Sequence, residues 1–277
     1  MKFQIKRYIA QILFLISANL GAFGLKTGFC YPFFYCHACP ASTSACPLRA
    51  LEVGFANFSF RWKLVTYPLV ILGTVGVLTG RAVCGWACPV GLLQRITAKV
   101  PQKLKMRFPG IRKFGQHRIE HYLRYTKYFV LIGLVILAPY FIVYMGDKGF
   151  IFTDVCPVGV LTGTLPILAL NPETYTPNPF FYIAFIVFIL FFILIFLIER
   201  GWCRYFCPVG AILAPFNKIS FLHIEVDKKN CTHCNICSNV CPMGIDVMNM
   251  DRDPECILCG KCITACPKNG ISFKRRG

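Results

Sequence analysis

The sequence is short of charge, and of acidic residues in particular. Only 15% of its 277 residues are charged, and 12 Asp and Glu stand against 30 Lys and Arg, which gives a formal net charge of +18. Hydrophobic residues make up 56% of the chain. Because so little polar sequence cannot cover the core of an ordinary soluble domain of this length, the composition favours a membrane protein.

Asp and Glu are absent from four apolar stretches whose lengths suit helices that cross a bilayer. The stretches run from Tyr8 to Gly24, Leu64 to Gly80, Tyr125 to Met145 and Phe180 to Ile198. They predict an α-helical integral membrane protein with four transmembrane helices. Ion pathways in membranes use paired carboxylates or broken-helix carbonyls, so the lack of acid argues against ion translocation.

Histidine is scarce as well. The sequence contains five, none of them in an apolar stretch: His37, His117, His121, His223 and His233. A haem within the membrane that is held by two histidines would need them in the spans. We therefore expect no b-type haem there.

Basic residues are concentrated between the second and third apolar stretches. Ten lie from Arg95 to Lys127, where Glu120 is the single acid. Loops rich in Lys and Arg stay on the cytoplasmic side, so four spans place both termini in the cytoplasm of a bacterium or archaeon. Residues 25–63 and 146–179 are then outside. The charge indicates topology and contact with membrane lipid, and nucleic acid is not an expected partner. No cleavable signal peptide is predicted.

The C-terminal tail carries two copies of the pattern CxxCxxCxxxCP, which read CTHCNICSNVCP from Cys231 and CILCGKCITACP from Cys256. In bacterial dicluster ferredoxins, three close thiolates of each run bind one cubane and the fourth Cys binds the other. Zinc would leave the third Cys unexplained, and disulfides are disfavoured in the reducing cytoplasm. The pattern predicts one [4Fe-4S] cluster on Cys231, Cys234, Cys237 and Cys266, and a second on Cys256, Cys259, Cys262 and Cys241.

Two further motifs follow the second and fourth apolar stretches and repeat each other. They read RAVCGWACPVGLL and RGWCRYFCPVGAIL, and each has an Arg three residues before its first Cys. The spacing between an Arg-Tyr pair and a later Cys-Pro step is also repeated, at Arg7 and Cys39 and at Arg124 and Cys156. Two membrane halves related by a pseudo-twofold axis along the membrane normal are therefore expected.

This repetition divides the chain into four parts. They are a first membrane repeat (1–95), a basic cytoplasmic loop (96–123), a second membrane repeat (124–218) and a dicluster ferredoxin domain of α+β type (219–277). The pseudo-twofold brings together four residues that we call the inner cysteines: Cys84, Cys88, Cys203 and Cys207. Each Cys-Pro step is expected to start a helix whose positive end faces the sulfurs. The four thiolates predict a third iron–sulfur cluster. They are alternatively small buried residues or thiols that line a cofactor pocket.

Five more residues, the outer cysteines, lie in the two outside segments: Cys30, Cys36, Cys39, Cys46 and Cys156. Two interpretations are open. A fourth cluster would use Cys36, Cys39, Cys46 and Cys156 and leave Cys30 spare. Alternatively, the oxidising outer compartment would pair the residues as disulfides. The apolar run from Pro157 to Leu170 is too short to span a bilayer and suggests a re-entrant segment.

His37 and Asp154 each lie two residues before an outer Cys-Pro step. If the repeats superpose, the two side chains face each other and are candidate acceptors of quinol protons. A hydrogen bond to a cluster sulfur, or simple surface exposure, explains either residue equally well.

Together, the four spans, the twin CxxxCP motifs, the basic loop and the terminal dicluster tail resemble the NapH family. NapH is the quinol-dehydrogenase membrane component of periplasmic nitrate reduction, and the membrane half of NosR is similar. The resemblance covers nearly the whole chain. It implies that the inner cysteines form the twin membrane motif, that the eight tail cysteines are cluster ligands, and that quinol or menaquinol oxidation is coupled to a partner redox protein. The outer cysteines depart from the family pattern.

The sequence thus predicts a membrane-bound electron-transfer subunit of an oxidoreductase. It would relay single electrons between a quinone pool or an outer partner and a cytoplasmic acceptor, together with ferredoxin-like, reductase or dehydrogenase subunits. Two alternatives are an iron–sulfur assembly or redox-sensing membrane protein, and a subunit of an ion-translocating redox complex.

Overall fold

The computed structural model of the chain describes residues 2–36, 39, 41–56, 61–98, 118–142, 151–170 and 180–276. Most of this length is helical. The helices of the first half are Lys2–Ala18, Pro47–Phe55, Trp62–Thr79, Ala82–Trp86 and Pro89–Thr97, with a 3-10 turn at Leu20–Phe23. Most of the predicted basic loop, residues 99–117, lies outside the described residues.

The second half has the same order of elements in shorter pieces. Its helices are Arg118–Leu123, Thr126–Phe129, Ala138–Ile142, Pro157–Gly159, Leu165–Leu170, Phe181–Leu197, Gly201–Tyr205 and Pro208–Leu213. Two π-helical segments, Val130–Leu137 and Val160–Thr164, continue the helices that precede them. Phe152–Asp154 and Pro215–Lys218 are 3-10 turns.

One helix of the described chain, Trp62–Thr79, is both long and apolar enough to cross a membrane by its length and composition. Three shorter apolar helices accompany it: Thr126–Phe141, Pro157–Ala169 and Phe181–Leu197. Large aliphatic side chains lie exposed on these helices, with Val70 64% and Ile186 58% accessible. An exposed apolar band of this kind marks a surface that meets lipid or another protein. The four-span topology stays a prediction.

The tail folds around a small antiparallel sheet. Its strands, β1 (Leu222–Val226) and β2 (Ile271–Arg275), pair with Leu222 opposite Arg275 and Val226 opposite Ile271. The two cysteine runs lie between the strands and carry the short helices Ile236–Asn239 and Lys261–Ala265. Pairing the ends of the tail folds the two runs back on each other.

The four Cys-Pro steps that the structure describes before the tail each start a helix, whereas Cys241-Pro242 and Cys266-Pro267 in the tail lead into turns. Cys46, Cys88, Cys156 and Cys207 each stand at the N-cap position in extended conformation, with φ between −75° and −66° and ψ between 110° and 126°. The Pro that follows is the first helical residue, where its fixed φ suits the helix and its missing N–H costs nothing. The same local geometry therefore presents a Cys side chain at four places.

The tail packs directly on the first inner motif. Trp86 Nε1 donates a hydrogen bond of 2.9 Å to the carbonyl of Leu258. A Cβ added at Gly85 would overlap the carbonyl oxygen of Ile257, so only glycine permits this approach. Residues between Cys84 and Cys88 thus touch residues between Cys256 and Cys259.

Candidate iron–sulfur centres

The eight tail cysteines line two separate cavities. One cavity is lined by the residues of the distal tail site, Cys231, Cys234, Cys237 and Cys266. The other is lined by the residues of the proximal tail site, Cys241, Cys256, Cys259 and Cys262. The structure therefore groups the cysteines as their spacing predicted, three from one run and one from the other. Their role as ligands stays a prediction.

The spacing of the cysteines suits a cluster. All 17 cysteines of the chain lie in the described part, and all are free thiols. Among the described residues, no three His, Cys, Asp or Glu side chains come close enough to hold a single metal ion. In a cubane each thiolate binds a different iron, so the sulfurs stand further apart than around one zinc. Four cysteines that lie around one site, but too far apart to hold a single ion, fit a cubane.

The inner cysteines are all buried, with at most 7% of any of them accessible. Burial, and next the nearby Cys203 and Cys84, raise the pKa of the Cys88 thiol to about 12. The same causes raise the pKa of Cys207 well above its ordinary value. These effects show that residues from the two repeats meet at one place. Free thiols there would be protonated, so metal binding would release protons.

Two arginines cross between the repeats and hold the inner cysteines in place. Arg81 Nη2 donates to the carbonyl of Cys203 at 3.3 Å, and Arg200 Nη1 donates to the carbonyl of Cys84 at 2.9 Å. Each Arg therefore binds the first Cys of the other motif. This reciprocal pattern is what a pseudo-twofold relation between the motifs predicts. The sequence showed the repeated Arg but gave no signal of its partner.

The repeated glycine of each CPVG run makes room for these guanidinium groups. A Cβ at Gly210 would lie 3.0 Å from Arg81 Nη2, and a Cβ at Gly91 would overlap Arg200 Nη1. Both glycines are seven residues after the first Cys of their motif. Their repetition was visible in the sequence, and the structure supplies its reason.

The surroundings of the inner cysteines hold a surplus of buried positive charge. Arg7, Arg81 and Arg200 have at most 1% of their surface accessible. Arg7 Nε donates to the carbonyl of Gly85 at 2.8 Å, and Arg200 likewise binds a carbonyl. The Nη2 atom of Arg200 and the Nε atom of Arg81 are buried without a hydrogen-bond partner. Buried cations are costly unless an anion compensates them, and four thiolates on a cluster would supply that charge.

Glu255 connects the membrane repeats to the proximal tail site. Its carboxylate accepts from Arg81 Nη1 at 2.9 Å and contacts Lys127 Nζ. Burial opposes ionisation, but Arg81 and Lys127 prevail and lower the pKa of the carboxyl below its ordinary value. Glu255 directly precedes Cys256, so this ion triad anchors a predicted ligand run. Sequence reasoning missed it, because partners 174 and 128 residues apart leave no local pattern.

One polar side chain breaks the symmetry of the inner cysteines. Gln94 is fully buried, and its Nε2 donates to Cys203 Sγ at 3.2 Å. The corresponding position of the second motif, ten residues after the first Cys, is Leu213. Hydrogen bonds to cluster sulfurs tune the reduction potential, so only one half of a cluster held here would receive such tuning from that position.

The structure brings together part of the outer set. Cys36 and Cys46 lie close enough to Cys156 for their charge to raise the pKa of its thiol. Cys36 and Cys30 have the same effect on the thiol of Cys46. Cys39 Sγ instead lies 3.8 Å from the Oδ1 of Asn19. The outer cysteines form no disulfide in the structure, so the disulfide interpretation gains no support from it.

The structure describes one of the two predicted proton acceptors. His37 lies outside the described residues, and Asp154 ends the turn Phe152–Asp154. A second acid, Glu52, is fully buried and accepts hydrogen bonds from the backbone N–H and the hydroxyl of Thr153. No sequence pattern singled out Glu52, which stands in the amphipathic helix Pro47–Phe55.

Two family models match the chain. A 4Fe-4S binding domain matches residues 61–107 and 180–224, which include both inner motifs, and a 4Fe-4S dicluster domain matches residues 223–267. An uncharacterized protein of Methanocaldococcus jannaschii is 30% identical over 274 residues, 98% of this chain and 96% of the relative. The ferredoxin-type protein NapH of Haemophilus influenzae is 25% identical over 222 residues, 75% of this chain and 67% of NapH. The chain belongs to the NapH-like family of polytopic ferredoxin-type proteins.

The predicted resemblance is thereby confirmed. A further relative of this NapH-like chain, protein NirI of Paracoccus denitrificans, is 29% identical over 220 residues, 78% of this chain and 29% of NirI. No solved structure matches the chain. Family membership and the two 4Fe-4S domains make the NapH-like chain an iron–sulfur electron-transfer protein.

Proposed function

We propose that the chain is a membrane-bound relay that passes single electrons from a quinol to a ferredoxin domain on the cytoplasmic side. The observation that carries the proposal is the packing of the proximal tail site on the first inner motif. Trp86 binds Leu258, and Arg81 binds both the inner Cys203 carbonyl and Glu255 beside Cys256. Two cysteine quartets in such direct contact suit electron transfer between the clusters that they would hold.

The order of the sites follows from burial. Cys259 and Cys262 of the proximal tail site are 7% accessible, whereas Cys234 of the distal tail site is exposed. Electrons would pass from the inner cysteines to the proximal site and then to the distal site. An external acceptor would dock near Cys234. The three sites would each bind one [4Fe-4S] cluster, which supplies one-electron chemistry when bound.

The membrane part of the proposal is a four-span topology in the cytoplasmic membrane with both termini inside. The exposed aliphatic side chains, the apolar helices and the basic residues from Arg95 to Lys127 support it. Relatives named NapH support a place in a larger redox complex. A quinol, menaquinol among them, gives up two protons with its two electrons. His37, Asp154 and the buried Glu52 are the candidate acceptors for those protons.

Stopped-flow absorbance with a menaquinol analogue tests the relay in full-length, anaerobically purified protein in lipid. We expect rapid bleaching of the cluster absorbance in the wild type. In Cys84→Ser, the tail clusters should still be reduced by dithionite but no longer rapidly by the quinol. Equal bleaching rates in the two proteins would exclude the inner cysteines from the path. A wild type that the quinol does not reduce would favour the redox-sensing or assembly role.

Cys234→Ser is the matched variant at the other end of the path. It should leave quinol-dependent bleaching of the inner and proximal clusters intact and slow the transfer of electrons to an added external acceptor. Loss of both properties would show that the distal site does not lie after the others.

A further inference from the structure

The outer cysteines repeat the local geometry of the inner cysteines. Cys46 and Cys156 precede Pro47 and Pro157 as Cys88 and Cys207 precede their prolines, with matching backbone angles. In each case the sulfur accepts a hydrogen bond from the backbone N–H three residues later. The donor is Arg49 for Cys46 and Gly159 for Cys156. Such N–H groups at the start of a helix favour a negatively charged sulfur.

Two more thiols meet this pair. Cys36 acts electrostatically on both Cys46 and Cys156, and a Cβ at Gly159 would stand 3.7 Å from Cys36 Sγ. Cys30 is 4% accessible and also acts on Cys46. Four free thiols from three chain segments, three of them buried, therefore gather around Cys46. A packed core that needed only small apolar residues would not require four cysteines there.

The outer group lies close to the inner cysteines. Cys88 Sγ stands 3.8 Å from the carbonyl oxygen of Phe34, which is two residues before Cys36. Two residues of chain reach at most about 7 Å, so the Cα of Cys36 is within about 11 Å of the Cys88 sulfur. Phe34 itself is buried, with 3% of its surface accessible.

We propose that Cys30, Cys36, Cys46 and Cys156 bind a separate iron–sulfur cluster that exchanges single electrons with the inner cysteines' cluster. Neither matching family domain covers these residues. The proposal goes beyond the relay described above, since it adds a metal site and holds whatever the electron donor is. It also replaces Cys39 of the sequence-based set with Cys30. The transfer is one electron lost by one cluster and gained by the other, with no bond made or broken and no proton moved.

Iron and acid-labile sulfide analysis of full-length, anaerobically purified protein is the first test. Four cubanes require about sixteen irons per chain, and three require about twelve. About sixteen is expected. Twelve or fewer would overturn the proposal, as would outer cysteines that resist alkylation after denaturation without reductant, because that result would mean disulfides.

Single substitutions then test the ligands. Cys46→Ser and Cys156→Ser should each lose about four irons and one EPR signal, while the dithionite-reduced signals of the tail and inner clusters persist. Cys39→Ser is the matched control and should keep the full iron content, whereas Cys30→Ser should not. Retention of all iron in Cys46→Ser and Cys156→Ser would overturn the site. Loss of iron in Cys39→Ser with retention in Cys30→Ser would overturn the ligand assignment. These readouts do not use quinol, so their failure is distinct from failure of the relay.

Discussion

The inner and outer cysteines share one way of presenting sulfur but lie in different electrostatic surroundings, because Glu52 with Arg49 replaces the buried arginines near the outer group. Both use Cys-Pro steps at helix starts with nearly the same backbone angles. The inner group is enclosed by the buried Arg7, Arg81 and Arg200, whereas a buried carboxylic acid, Glu52, lies beside Thr153 near the outer group. The fold thus repeats the sulfur geometry and varies the charge around it.

This difference sets an expected direction for electrons. Reduction adds negative charge to a cluster, so the buried inner arginines raise its reduction potential. Glu52 lowers the outer potential only as pH rises through its pKa of about 7, and Arg49 beside Thr153 offsets part of its charge. We therefore expect the inner cluster to have the higher potential. Electrons would move downhill from the outer side to the inner cysteines, and redox titration followed by EPR measures both potentials.

The largest expected effect comes from removing the acid that offsets the inner cations. Glu255→Gln leaves Arg81 and Lys127 buried without their carboxylate, and breaking a buried ion pair costs about 3–5 kcal/mol. We expect the tail to detach or unfold at a lower denaturant concentration, as measured by loss of tail cluster absorbance. Glu225→Gln is the control, because its exposed pair with Lys274 contributes about 0–1 kcal/mol. Equal midpoints in the two variants would contradict the anchoring role of Glu255.

Arg200→Gln tests the inner charge directly. For a charge separation of roughly 7 Å and an effective dielectric of about 20, Coulomb's law gives about 2 kcal/mol, or on the order of 100 mV for one electron. We expect the midpoint potential of the inner cluster to fall by that order. Arg275→Gln, at an exposed position in β2, should leave it unchanged. A potential that stays constant in Arg200→Gln would remove the electrostatic contrast between the two groups.

Glu52 offers a pH test on the outer side. Burial, partly offset by Thr153, raises its pKa from 4.5 to about 7. A carboxyl whose pKa is raised on folding adds stability below the unfolded pKa, and that stability is lost as pH rises through the folded value. Stability should therefore fall between pH 4.5 and pH 7 by at most about 1.4 kcal/mol per pH unit.

Denaturant unfolding across this pH range measures the effect. Glu52→Gln should remove that component of the pH dependence, while Glu225→Gln, which alters an exposed carboxylate, should keep it. An unchanged pH profile in Glu52→Gln would show that Glu52 is ionised throughout the range.

The features that the sequence predicted are those that depend on the spacing of residues close together in the chain. The grouping of the tail cysteines, the Cys-Pro helix starts and the approach of the inner cysteines across the repeats all follow from short motifs and their repetition. The span ends were less accurate: the first predicted stretch, Tyr8 to Gly24, became the helix Lys2–Ala18. Helix ends depend on packing as well as on hydropathy, because buried polar residues such as Gln11 find partners within the fold.

The parts that could not be predicted depend on contacts between distant residues. Glu255 has an ordinary sequence context, and only folding places it against Arg81 and Lys127. The choice of Cys30 over Cys39 is similar, because both fit a metal-ligand spacing. Folding turns Cys39 toward Asn19 and places Cys30 beside Cys46. Whether a charged residue is buried, and with which partner, depends on residues distant in the chain, and no local sequence pattern contains that information.

The smallest expected effect tests the asymmetry within the inner group. Gln94→Leu places in the first motif the residue type that the second motif has at Leu213, and it removes the hydrogen bond to Cys203 Sγ. One such bond contributes about 1 kcal/mol, so the inner midpoint potential should fall by about 40 mV. Gln11→Leu is the matched control, because Gln11 donates at 3.0 Å to the carbonyl of Gly85. If both variants shift the potential equally, general loosening of the site explains the change; a shift in Gln94→Leu alone assigns it to the sulfur.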